Sequence, residues 1–135
     1  YRLPKLNCLW NDVLHFSALN PKIIFSRLEE LGFGPFRDLK WFEIPVQVLE
    51  GLPTVVYRAP IQPRQDFALD EADVEVLDFQ SWSEPLNLSP EAESYFKSCQ
   101  TENRKPLPFQ FTPHILVRGE INLEGIKIQH AQNIY

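Results

Sequence analysis

The chain has 135 residues, 44% of them hydrophobic and 13% aromatic, with 13 basic and 18 acidic residues for a formal net charge of −5. That length suits one domain of ordinary size, and the apolar content excludes a disordered tail. No apolar run nears the roughly 18–20 residues of a bilayer span, the acidic balance argues against a broad nucleic-acid surface, and 2 cysteines are too few for a disulfide scaffold or a four-thiolate zinc site.

Residues 1–19 do not read as a signal peptide, because Asn11, Asp12 and His15 interrupt the apolar stretch. Leu6, Trp10, Val13 and Leu14 have helical spacing, whereas Leu14 and Phe16 suit a short strand. Asn20-Pro21 supplies an N-cap and a proline at the first helical position. Ile24, Leu28 and Leu31 then share one helical face, and Gly32 or Gly34 supplies a left-handed stop.

From Trp41 to Ala59 the pattern changes to period two. Phe42, Ile44, Val46 and Val48 alternate with Glu43, Pro45 and Gln47. A two-residue turn at Glu50-Gly51 sets Val46 opposite Val55 and Ile44 opposite Tyr57, with Glu43 facing Arg58 on the other side. A hairpin is therefore expected over 41–59, at a sheet edge or bent because of Pro45 and Pro53. After a loop over 60–73, Val74–Phe79 reads as a single strand, and a second loop covers 80–88.

Ser89-Pro90 repeats the helix-start signal, with Glu91 and Glu93 at the positive helix end and Ala92, Phe96 and Cys99 on one face. A third loop, 100–113, leads to a second alternating stretch, 114–135. A turn at Glu124-Gly125 sets Ile121 opposite Ile128, Gly119 opposite His130 and Ile115 opposite Ile134, with Glu120 facing Gln129. Both turns read Leu-Glu-Gly, so the chain is either a degenerate duplication of a helix–hairpin unit or two units that arose independently. The expected fold is one α+β domain over 1–135. Its mostly antiparallel sheet is built from two helix–hairpin units (αββ-β-αββ), with the helices packed on one face. The alternative is a ferredoxin-like βαββαβ order.

Among candidate sites, His15, His114 and His130 invite a metal, but the second hairpin sets His114 and His130 about 17 Å apart on opposite faces. His130 reads instead as a ring covering Gly119, and no metal or cofactor is expected. Cys8 and Cys99 read as buried thiols of a reducing compartment, which suggests a cytoplasmic location, with a disulfide between them as the alternative.

The run Asp66, Asp70, Glu71, Asp73, Glu75, Asp78 and Glu84 contains no Lys or Arg. It fits no calcium loop and reads as a solvated face suited to a basic partner. There is no nucleophile elbow and no glycine-rich phosphate loop. Trp82 and Phe109, flanked by polar residues and prolines, are the least core-like aromatics.

The first functional reading is a non-catalytic interaction or regulatory module with a protein partner. It docks through Asp70, Glu71, Asp73, Glu75 and Trp82, or pairs with a second copy through a hairpin edge. The second is a small-molecule domain or enzyme whose pocket, between sheet and helices, is lined by Trp82, Phe109 and Phe111. The third is a metal-dependent hydrolase using His15 and carboxylates.

Overall fold

Two dipeptides fix the helices. In the computed structural model, which describes residues 2–3, 6, 8–9, 12–58 and 71–130, α1 spans Pro21–Glu30 and α2 spans Pro90–Thr101. Asn20 Oδ1 accepts from Lys22 N at 2.9 Å and Ser89 Oγ accepts from Ala92 N at 3.0 Å, which satisfies donors a helix start leaves open. Both helices end alike. Phe33 N donates to Leu28 O and Gly32 N to Glu29 O, while Arg104 N donates to Cys99 O and Asn103 N to Gln100 O. These are Schellman closures, with Gly32 (φ +92) and Asn103 (φ +54) in the left-handed position. The helices face each other through Ile24, Phe25, Leu28 and Phe96. Arg27 bridges Glu30 and Glu93, and Gln100 Nε2 donates to Leu31 O at 2.9 Å.

The strands are β1 (Arg2–Leu3), β2 (Cys8–Leu9), β3 (Leu14–Ser17), β4 (Lys40–Glu43), β5 (Thr54–Tyr57), β6 (Val74–Val76), β7 (His114–Val117) and β8 (Lys127–His130). β3, β7, β5 and β6, in that order, form a four-stranded antiparallel sheet, β1 pairs β2, and β4 pairs β8. The two helices pack against the four-stranded sheet. They meet it through the segment before β7: Phe109 stands edge-on to Phe25 of α1 (5.9 Å, 84°), and Ser89 Oγ, the cap of α2, donates to Phe111 O.

Neither expected hairpin forms. Both Leu-Glu-Gly turns are present, but Glu50 (φ −57, ψ 136) and Gly51 (φ +87) make a type II turn closed by Leu52 N to Leu49 O at 3.0 Å. Gly125 (φ +79) follows the same pattern, with Ile126 N bonded to Leu123 O. Type II turns splay the flanking segments, whereas two-residue hairpins need the primed types. Pro45 also ends β4, and Val46–Leu49 winds into a 3₁₀ turn instead of continuing the strand.

The strands re-pair across the two units: β4 with β8 and β5 with β7. Each unit thus lends a strand to the other, and the exchanged pairs do not keep the spacing of the two Leu-Glu-Gly turns: by that spacing His130 corresponds to Val56, whereas His114 pairs with Tyr57. His130 stands opposite Lys40 rather than Gly119, and it is Leu52 that lies against Gly119, with Cδ2 3.1 Å from where a Cβ would be.

The central strands are buried on both faces, contrary to the one-sided sheet expected. All four residues of β5 are buried, as are Ile115, Leu116 and Val117 of β7. Their sequences, TVVY and HILV, are the unbroken apolar runs such strands need. Val55, Tyr57, Val74 and Leu116 form one cluster with Leu6 and Val13. Ile115 and Val117 form another with Ala18 and Leu49.

In chain order β3, α1, β5, β6, α2 and β7 do run β–α–β–β–α–β. The ferredoxin-like alternative fails on strand order, however. That fold centres its first and third strands, while this sheet centres β5 and β7, the second and fourth.

Candidate functional site

The displaced strands leave a groove. It has a volume of about 1230 Å³, is partly open to solvent, and lies between β3 of the four-stranded sheet and β4 of the ribbon. Leu14–Ser17 of β3, Ala18 and Ile115 line one side, and Trp41, Phe42, Glu43 and Ile44 line another. The two type II turns bring Leu49, Leu123 and Ile126 to it, and the 3₁₀ turn adds Val46.

Trp82 enters from the loop after β6, which Asp78 holds. Asp78 Oδ1 accepts from Gln80 N at 3.0 Å and Oδ2 from Ser81 Oγ at 2.9 Å, a side-chain-capped turn. The Ser81 hydroxyl and then the Gln80 amide keep the Asp78 carboxyl below its ordinary range. Trp82 packs on the cluster of Ala18, Leu49, Ile115 and Val117, beside Phe16 and Phe79.

Phe109 closes another side. His114 Nε2–H donates to its carbonyl at 3.2 Å, which fixes the tautomer. Burial pushes the His114 imidazole below its usual value. The hydrogen bond to Phe109 opposes that shift, and the neighbouring His15 adds to it. Tyr57, paired with His114 across β5 and β7, is raised by burial and then by Asp73.

The groove is acid-rimmed. Glu43, Glu84 and Glu120 line it, and no Lys or Arg does among the described residues. Phe42 and Leu123 are 49% and 42% exposed there, more apolar surface than scattered single side chains present.

Of the residues singled out from the sequence, Trp82 and Phe109 line this groove. Phe111 does not. It is held at φ +60, with its ring 5.7 Å from that of Tyr95 on α2. Asp73 and Glu75 lie at the β6 edge, outside the groove lining. Glu75 Oε2 is 3.7 Å from Arg58 Nε, and Asp73 O accepts from Arg58 N at 3.1 Å. Glu71 opens the 3₁₀ turn that leads to Asp73, and Asp70 lies outside the described residues. Among the described residues of the acidic run, Glu84 lines the groove and Asp73 and Glu75 do not.

Sequence reasoning missed Glu43 and Glu120, having spent them as cross-strand partners of Arg58 and Gln129. Trp41 and Phe42 fell in the stretch assigned to the first hairpin. The edges available to a second copy are not those of hairpins: among the described residues they are β3 and β6 of the four-stranded sheet and the strands of the β1–β2 and β4–β8 ribbons.

Cys99 is a buried free thiol. Among the described residues no three His, Cys, Asp or Glu side chains are grouped to hold a metal ion, and no helix is long and apolar enough to cross a membrane. Comparison with protein-family models, with curated proteins and with solved structures finds no match for this chain.

Proposed function

We propose that the chain is a non-catalytic recognition module that receives an apolar segment of a partner protein in the groove between β3 and the β4–β8 ribbon. The observation that carries this reading is the groove itself, about 1230 Å³ and lined by Trp41, Phe42, Trp82, Phe109 and Leu123. Small-molecule sites run to roughly 300–1,000 Å³ and enclose most of their ligand. A larger, partly open apolar surface suits side chains presented by another protein. The small-molecule reading keeps Trp82 and Phe109 but loses Phe111, which packs edge-on against Tyr95 of α2. In this reading the acidic residues Asp70, Glu71, Asp73 and Glu75 form a secondary contact of the module, and self-association would use an edge of the four-stranded sheet or of the β4–β8 ribbon. The free buried Cys99 supports a cytoplasmic setting.

Panning a displayed peptide library against the protein tests the proposal, with Phe42→Ser and Leu123→Ser as counter-selections. Both side chains are exposed, so the fold survives their loss. Enriched sequences that bind the wild type and not these variants are expected. No enrichment, or enrichment indifferent to both substitutions, would refute the groove as the binding surface.

A further inference from the structure

The groove's charge says what its occupant carries. Resting on the reading above, we propose that the bound segment is cationic, with Lys or Arg side chains lying over the groove's indoles and ending at Glu84 and Glu120.

Three carboxylates reach the groove from three separate stretches of chain: Glu43 from β4, Glu84 from the loop after β6, and Glu120 from the segment after β7. Among the described residues neither Glu84 nor Glu120 has an ion-pair partner. Elsewhere the carboxylates of Glu30, Glu75, Glu93 and Glu102 each meet an arginine. The negative charge of Glu84 and Glu120 is therefore not balanced by an ion pair among the described residues, and apolar walls strengthen its field.

A basic side chain matches that surface in both its parts. Its methylene stem covers apolar wall while its head reaches a carboxylate, and an indole face attracts the same cation. The groove holds two indoles, Trp41 and Trp82. Nucleic acid, acidic peptides and anionic membranes meet repulsion at the same rim, which leaves a basic protein segment as the occupant.

The test uses three labelled peptides of equal length, in which Leu alternates with Lys, with Ser or with Glu. Each is titrated by fluorescence anisotropy against the wild type, Phe42→Ser and the double variant Glu84→Gln, Glu120→Gln. Both carboxylates are exposed, so the double variant keeps the fold, and its circular dichroism verifies this.

The Lys peptide should bind at least about tenfold tighter than the Ser peptide, a gap of about 1.4 kcal/mol. The double variant should shrink the gap to about twofold, and added salt should weaken the Lys peptide alone. If the Ser or Glu peptide binds as tightly as the Lys peptide, and Phe42→Ser abolishes that binding, the charge inference falls while the recognition reading stands. A Lys preference that survives in the double variant also overturns the inference, since the charge recognised then lies elsewhere. If none of the three peptides binds, both readings fall.

Discussion

Leu116 decides between the hairpin register and the exchanged one. Two-residue alternation around the Glu124-Gly125 turn puts Ile115 and Val117 inside and Leu116 in water. In the structure Leu116 is 0% exposed, set between His15 of β3 and Val55 of β5. Leu116→Ala removes three carbons. At about 0.8 kcal/mol per methylene the lost transfer energy is roughly 2.4 kcal/mol, and the cavity left in a central strand brings the total to about 3 kcal/mol or somewhat more. Urea unfolding followed by tryptophan fluorescence and far-ultraviolet circular dichroism measures it. With an m-value of about 2 kcal/mol/M the midpoint should fall by about 1.5 M while m stays unchanged, and Tm should drop by roughly 10 °C. A loss under about 0.5 kcal/mol is what a surface position gives, and it would refute the pairing of β5 with β7.

Thr112 is 2% exposed, and its Oγ1 has no hydrogen-bond partner among the described residues. Thr112→Val should therefore stabilise the protein, by about 1 kcal/mol in urea unfolding, because the desolvated hydroxyl disappears at constant shape. Ser89→Ala should cost about 1–2 kcal/mol, since Ser89 Oγ both caps α2 and donates to Phe111 O at 3.1 Å; equal stability of the two proteins would remove the cap from the account. His114 has its folded pKa depressed by burial. The unfolded chain then binds the proton more readily, so stability is full above the unfolded value near 6.5 and is lost as pH falls through the folded value. The slope contributed by this one proton cannot exceed about 1.4 kcal/mol per pH unit, and His114→Gln should flatten it in urea titrations between pH 5 and 7.

The helices were legible because their signals are local. Asn20-Pro21 and Ser89-Pro90 mark both starts, and Gly32 marks one stop, with no reference to the rest of the chain. Strand positions were legible for the same reason: β5, β7 and β8 fall inside the two alternating stretches, and β4 starts one residue before the first. Pairing was not, because partners are chosen by turn geometry and by burial on two faces at once. TVVY and HILV carried that second signal. Val56 and Leu116 were the apolar residues the hairpin registers left on the wet side, and both are buried. Trp82 and Phe109, which line the groove, were legible as residues outside the core because their polar, proline-rich settings offer no strand or helix face to hide them. Glu43 and Glu120 were not, because an incorrect register supplied each with a partner.

The exchange of strands and the groove have one physical origin. Had the turns at Glu50-Gly51 and Glu124-Gly125 been of the primed kind, β4 would lie beside β5 and β8 beside β7, with Trp41 and Phe42 spent on a hairpin face. Type II geometry turns the chain away from the strand it has just left. β4 and β8 then find each other outside the main sheet, Glu43 opposite Lys127 and Phe42 opposite Ile128. Val46, Leu49 and Ile121, on the connecting segments, fill the face of Ile115 and Val117 that a hairpin would have covered. What those connections do not cover is the groove. Its apolar lining is sheet and turn surface that a hairpin would have covered, and Glu84 and Glu120 stand at it without an ion-pair partner among the described residues, which is why the proposed occupant is both apolar and basic.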